Sequence, residues 1–139
     1  MQVIDYDHSW QGAVISLWET CELTRPWNNP TEDILRKITD AMGKFVLLVD
    51  GDKLIASMMI GYDGHRGSVN YLAVLPDYQG QGVGRQLMTY CEDYLKHLGC
   101  PKINICVRDT NVQVMDFYAT LGYKTDPVIV VSKRLLADN

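Results

Sequence analysis

The sequence predicts a mixed α/β (α+β) domain, and three observations carry that prediction. Two apolar runs joined through Asp50-Gly51-Asp52, with a third joined through Asp63-Gly64-His65-Arg66-Gly67, read as consecutive antiparallel hairpins. Segments with apolar residues at helical spacing precede and follow this meander. Between them, Val69-Asn70-Tyr71-Leu72-Ala73-Val74-Leu75 runs into Pro76-Asp77-Tyr78-Gln79-Gly80-Gln81-Gly82-Val83-Gly84-Arg85, a strand feeding a glycine-rich turn that opens a helix.

Taken in order, residues 1–5 form a short edge strand. Asp7 or Ser9 caps a helix through about Cys21, with Trp10, Val14, Leu17, Trp18 and Cys21 on one face. Two prolines and two asparagines make residues 23–30 a loop. Thr31 is expected to cap the second helix, with Glu32 and Asp33 in its first turn and Ile34, Ile38 and Met42 on its buried side. Phe45 to Val49, Leu54 to Tyr62 and Val69 to Leu75 are strands. A helix follows from about Val83 to Leu98, with Leu87, Cys91, Tyr94 and Leu95 inward, stopped by Gly99 and Pro101. Lys102 to Val107 is expected as a strand, Asn111 to Leu121 as a helix closed by Gly122, and Val128 to Leu135 as a last strand. No linker, repeat or low-complexity stretch divides residues 1–139, so one domain is expected.

The composition narrows the class. Of 139 residues, 47% are hydrophobic and 22% charged, as in soluble globular chains. A net charge of −4 speaks against a nucleic-acid backbone as partner. No run reaches the about 20 apolar residues of a membrane span, and the N-terminus has neither a basic start nor an apolar core of a signal peptide. Cys21, Cys91, Cys100 and Cys106 contain no C-x-x-C pair and read as reduced core thiols. A cytoplasmic protein with no metal site and no membrane partner is expected; a homodimer is left open.

A glycine-rich turn at a helix N-terminus is an anion site, because the first-turn N–H groups and the positive dipole end converge there. Three phosphate motifs compete for it. A P-loop fails, since Gly84 is followed by Arg85-Gln86 rather than Lys-Ser/Thr. A dinucleotide fingerprint fails, since Gly84 falls one residue early after Gly80 and Gly82. The pattern Gln/Arg-x-x-Gly-x-Gly/Ala is met by Gln79, Gly82 and Gly84. That pattern, behind Leu-Ala-Val-x-Pro-x-Tyr, resembles the pyrophosphate loop of the GNAT superfamily of acyl-CoA-dependent N-acyltransferases. A second segment is similar to the same family: Arg108-Asp109-Thr110-Asn111, then Phe117-Tyr118-x-x-Leu121-Gly122-Tyr123. Asn111 and Tyr118 stand seven residues apart, about two helical turns, and so share a face. More narrowly, Arg25-Pro26-Trp27-Asn28-x-Pro30, Gly61-Tyr62-Asp63-Gly64-His65-Arg66-Gly67 and Gly99-Cys100-Pro101-Lys102-Ile103 resemble the small bacterial YpeA-like acetyltransferases beside the ribosomal-protein alanine acetyltransferase group.

The resemblance implies a twisted, mostly antiparallel sheet with helices on both faces, whose strands 69–75 and 102–107 splay apart into a cleft. It implies acetyl-CoA as cosubstrate. Gln79, Gly80, Gln81, Gly82, Val83, Gly84 and Arg85 would hold the pyrophosphate. Backbone groups of Leu72, Ala73 and Val74 would pair with the pantetheine as a strand would, and offer an N–H to the developing oxyanion. Asn111 would bond the pantetheine arm, and Tyr118 would give its proton to the leaving thiolate; the bland reading of Tyr118 is a half-buried core aromatic. Arg25, Trp27 and Asn28 would wall the acceptor side, unless Trp27 only plugs the core edge.

Two departures concern the general base. The glutamate of the ribosomal-protein type falls on Cys106, and the histone-type position, within Ser68-Val69-Asn70, also lacks a carboxylate. His65 is the candidate base or acceptor-pocket residue, since an imidazole titrates near neutral pH; the alternative is a turn histidine in water, and Asp63 is the weaker candidate. The expected reaction is transfer of acetyl to a primary amine, a small amine or amino-acid derivative, by direct attack. A protein N-terminal or lysine acetyltransferase is the alternative acceptor class. A non-catalytic CoA-binding sensor module is the alternative of another kind.

Overall fold

The computed structural model describes residues 1–138. Four strands, β1 (Gln2–Asp5), β2 (Lys44–Asp50), β3 (Lys53–Tyr62) and β4 (Gly67–Val74), lie in the order β1-β2-β3-β4, every neighbouring pair antiparallel. Four α-helices cover them: α1 (Gln11–Thr20), α2 (Pro30–Ile38), α3 (Val83–His97) and α4 (Val112–Thr120). The mixed α/β reading and the antiparallel meander are as expected.

The apolar runs of β2 and β3 are continuous because both faces of the sheet are covered. Phe45, Leu47 and Val49 point into one core with Val14, Leu17 and Trp18 of α1 and Ile34 of α2. Val46 and Leu48 point into the other, with Leu87, Met88, Cys91 and Leu95 of α3 and Tyr118 of α4. Period-2 alternation thus sends alternate residues to opposite helix layers.

Among the described residues one polar side chain is buried, Ser57 of β3. Its Oγ accepts from Trp18 Nε1 at 2.9 Å and donates to the Tyr71 carbonyl at 2.9 Å. β4 carries a bulge there: Ser57 faces Ala73 and Met59 faces Asn70, so Tyr71 and Leu72 together stand against Met58. Tyr71 takes a left-handed φ of 52°, its ring stacked on Trp18 at 3.8 Å between centroids.

Several expectations are corrected. Asp7 caps a 3₁₀ turn, His8–Trp10, which then leads into α1. Asn29, not Thr31, caps α2: its Oδ1 accepts from Glu32 N, and Pro30 takes the first helical position, where a missing N–H costs nothing. Ile38 and Met42 are 49% and 48% exposed, because α2 ends at Ile38 and only Ile34 reaches the core. Tyr94 is half-buried, its hydroxyl donating to the Met42 carbonyl. Lys102 to Val107 makes a single parallel bridge, Gly67 with Ile103, before leaving the sheet. A Cβ at Gly67 would meet Leu95 Cδ1 at 2.7 Å, so this close approach needs a glycine. Val128 to Leu135 is not a strand. Its β-branched residues favour extended backbone, yet no edge pairs with them among the described residues, and Val128 and Val131 are 76% and 91% exposed. Side chains on either side anchor the segment: Lys102 to Asp126 at 2.6 Å, Arg134 to Asn28 at 3.3 Å, and Arg36 to Asp138 at 2.7 Å.

Replacing Ser57 with Ala removes one partner from both the Trp18 indole and the Tyr71 carbonyl. The variant should lose about 1–3 kcal/mol, the cost of leaving buried polar groups unpaired. Urea unfolding should show a lower midpoint at unchanged slope.

Candidate active site

A cleft of about 780 Å³ opens where β4 and the 105–108 segment part. Val69, Asn70, Tyr71 and Leu72 line one wall; Ile105, Cys106, Val107 and Arg108 line the other. Asn111, Val114 and Tyr118 of the α4 region contribute. Toward α2 the lining passes to Glu22, Arg25 and Asn28 of the loop, then Asp33, Arg36 and Lys37.

Tyr118 sits where a proton donor could work. Its ring is only 8% exposed, packed edge-on between Phe117 and Tyr123. Its hydroxyl makes no hydrogen bond among the described residues, yet it is not a sealed, unsatisfied atom. Tyr118 is among the residues that line the cleft. Burial first, with a contribution from Cys91 beside it, pushes its pKa up to about 12, so it holds its proton across the physiological range.

Asn111 caps α4, its Oδ1 accepting from Val114 N at 3.2 Å. Its amide N–H groups have no partner among the described residues and could donate to a ligand. Leu72 lines the cleft, while Ala73 is buried on the α1 side and the Val74 carbonyl already accepts from Gln79 Nε2 at 2.9 Å and Cys21 Sγ at 3.3 Å.

The glycine loop lies beyond the cleft, at the N-terminus of α3. Gly82 caps that helix with φ +83°, and no side chain caps it, so the first-turn N–H groups are left for another acceptor. Gly80, at φ +73°, and Gly82 would carry any Cβ into open space. Their glycine identity answers the left-handed backbone and leaves room for a bulky anion. Gly84 has another reason: a Cβ there would stand 2.9 Å from the ring of Phe117, so this glycine lets α3 pack on α4. A pyrophosphate fits this uncapped helix end.

The remaining candidates divide. Arg25 and Asn28 line the cleft; Trp27, 46% exposed, stacks under the Arg108 guanidinium at 5.5 Å rather than plugging the core. His65 is exposed on the β3–β4 hairpin and is not brought to the cleft. Its neighbour Asp63 accepts the backbone N–H groups of His65 and Arg66 at 2.8 and 2.7 Å, which lowers the Asp63 pKa and marks a structural turn role. All four cysteines are free; Cys91 is buried and Cys21 and Cys100 pack partly buried against the two cores, whereas Cys106 is an exposed thiol on the cleft wall and departs from the core-thiol reading. Sequence reasoning missed Asp33, Arg36 and Tyr71, which helix spacing and strand alternation mark only as solvated or core positions. The Tyr71 hydroxyl donates to Asp33 Oδ2 at 2.6 Å; burial first, then this bond, raises its pKa.

Comparison with known proteins agrees with this geometry. The acetyltransferase (GNAT) family matches residues 12–123. An acetyltransferase of Yersinia pestis is 46% identical over 125 residues, covering 90% of this chain and 89% of the relative. One of Yersinia enterocolitica is 42% identical over 138 residues, covering 99% and 98%. AAC(6')-Iy, solved with the bisubstrate analogue CoA-S-monomethyl-acetylneamine, superposes at a TM-score of 0.77 with 14% identity, covering 96% of this chain and 98% of that one.

If the α3 N-terminus receives a pyrophosphate, a negative charge at Gly82 should repel it. Gly82→Asp and Gly82→Asn impose the same backbone strain, and only the first adds charge. By calorimetry without added metal, Gly82→Asp should bind CoA at least about tenfold more weakly than Gly82→Asn.

Proposed function

The chain belongs to the GNAT family of acetyltransferases, and we propose that its cleft moves acetyl onto the primary amine of a small molecule, an amine or amino-acid derivative. Acetyl-CoA-dependent N-acetyl transfer is the activity of the family. The observation that carries the reading is Tyr118, a buried phenol in the cleft lining whose hydroxyl has no hydrogen-bond partner among the described residues. Acetyl-CoA supplies the acetyl group as an activated thioester. The uncapped turn from Gly80 to Arg85 holds the pyrophosphate, and Asn111 with the backbone at Leu72 holds the pantetheine. Tyr118 Oη keeps its proton until the C–S bond breaks, then passes it to the sulfur.

The acceptor nitrogen must arrive neutral, because no carboxylate base stands at Cys106 or Ser68. His65 lies outside the cleft lining, so the proposed path for the amine proton is into water. A small acceptor is favoured over a protein segment by the rim. Arg134 holds Asn28, and Asp138 holds Arg36, so the C-terminal segment is tied to two residues of the acceptor wall.

Tyr118→Phe should bind CoA as the parent does and lose about 10²–10⁴-fold in kcat. Stopped assays of thiol release over a panel of primary amines, with calorimetry for CoA, check both halves. A donor with a pKa near 12 stays protonated, and active, below that value. The parent's kcat should therefore rise as the amine deprotonates and show no descending limb below about pH 11. His65→Gln should keep the parent's pH profile; the disappearance of an acidic limb in that variant would return the imidazole to the proton path.

A further inference from the structure

Most charged groups of the cleft are settled within the protein. Lys37 pairs with Asp40 at 2.9 Å, and Arg36 with Asp138 at 2.7 Å and Asp33 at 3.6 Å. Asp33 also accepts from Tyr71. Two guanidiniums of the lining stand apart. Among the described residues no carboxylate lies within ion-pair distance of Arg25 or Arg108, and Glu22 is the one lining carboxylate without a partner.

Both guanidiniums are nevertheless held in place. Arg25 Nη1 donates to the carbonyls of Glu22 at 2.6 Å and Thr24 at 3.0 Å, leaving its Nη2 and Nε protons unused. Arg108 lies over the face of Trp27 at 5.5 Å, a contact that orients it and spends none of its five N–H donors. The nearby amides add donors of the same kind. Asn28 Oδ1 is taken by Arg134 and Asn111 Oδ1 by Val114 N, so each keeps an NH₂ to offer. The lining between the 22–28 loop and the 107–111 segment is thus rich in spare donors and poor in spare acceptors. A planar guanidinium fork matches a carboxylate, and fixing it beforehand reduces what binding must order.

We infer that Arg25 and Arg108 grip an anionic group of the acceptor, so that the acceptor is an amine that also carries a carboxylate. The inference rests on the acetyl-transfer reading above and narrows its acceptor. Trp27 acts through Arg108 as a positioning residue. Glu22, on the same loop, suits the approach of the acceptor's ammonium end before it loses its proton.

The test measures kcat and KM with acetyl-CoA for L-α-amino acids, β-alanine and γ-aminobutyrate, each beside its carboxamide, which lacks the charge, with concentrations expressed as neutral amine because the amide's amine is also less basic. The parent should prefer the best acid over its amide at least tenfold in kcat/KM. Arg25→Gln and Arg108→Gln should each cut that preference by about ten- to a hundredfold, the scale of a lost charged hydrogen bond, through the acid's KM. Arg25→Lys and Arg108→Lys should recover part of it and keep the assay decisive if a glutamine variant folds poorly. Amides turned over as well as acids would overturn the grip and leave the acetyl-transfer reading standing. A KM increase for acetyl-CoA in place of the acid would also overturn it, by moving the arginines to the cosubstrate's phosphates. Absence of turnover with every amine would overturn the small-amine reading itself and the grip with it.

Discussion

The site depends on one buried hydroxyl. Ser57 Oγ sits between the indole of Trp18 and the carbonyl of Tyr71, joining α1, β3 and the bulge of β4. A left-handed φ costs a non-glycine residue about 1–2 kcal/mol. The serine bond, the Trp18 stack and the Asp33 hydrogen bond at Tyr71 each return about 0.5–1.5 kcal/mol, so the bulge is held rather than merely tolerated. Because two residues oppose one at Met58, β4 bends where the 102–107 segment leaves it, and the gap between them is the cleft.

The two sides of that gap offer different groups to the proposed reaction. In the proposed reaction Tyr118 is an acid kept protonated by burial, while the lining carboxylates Glu22, Asp33 and Asp40 stand toward α2 and the loop before it, and none stands at Cys106 or Ser68. That imbalance suits a reaction whose nucleophile is delivered neutral and whose leaving group needs a proton. The uncapped end of α3 would meet the charge of the cosubstrate in the same proposal. The proton affinity of Tyr118 is raised chiefly by local burial.

Much of this was legible in the sequence. The hairpins, the strand–glycine–helix passage and the Asn111-to-Tyr118 spacing are local patterns, and local patterns survive folding. What failed depended on partners distant in the chain. Val128 to Val131 has the composition of a strand, but a strand also needs an edge to pair with, and composition does not supply one. Ile38 and Met42 keep helical period, but the helix stops at Ile38. Gly84 reads as part of the anion loop, and only the packing of α4 shows that Phe117 needs its missing side chain. The Arg108–Trp27 stack joins residues 81 positions apart and has no signature in either stretch.

The contact between Gly84 and Phe117 reaches beyond packing. It is a seam where α3, which opens at the glycine loop, touches α4, which carries Tyr118, the next residue after the ring that fills it. A side chain at position 84 would push on that ring, and through it on the phenol. With the roles proposed above, donor binding and proton delivery would meet at one glycine. Diversification of this scaffold is freer at the opposite rim, where the 22–28 loop can change without moving that seam.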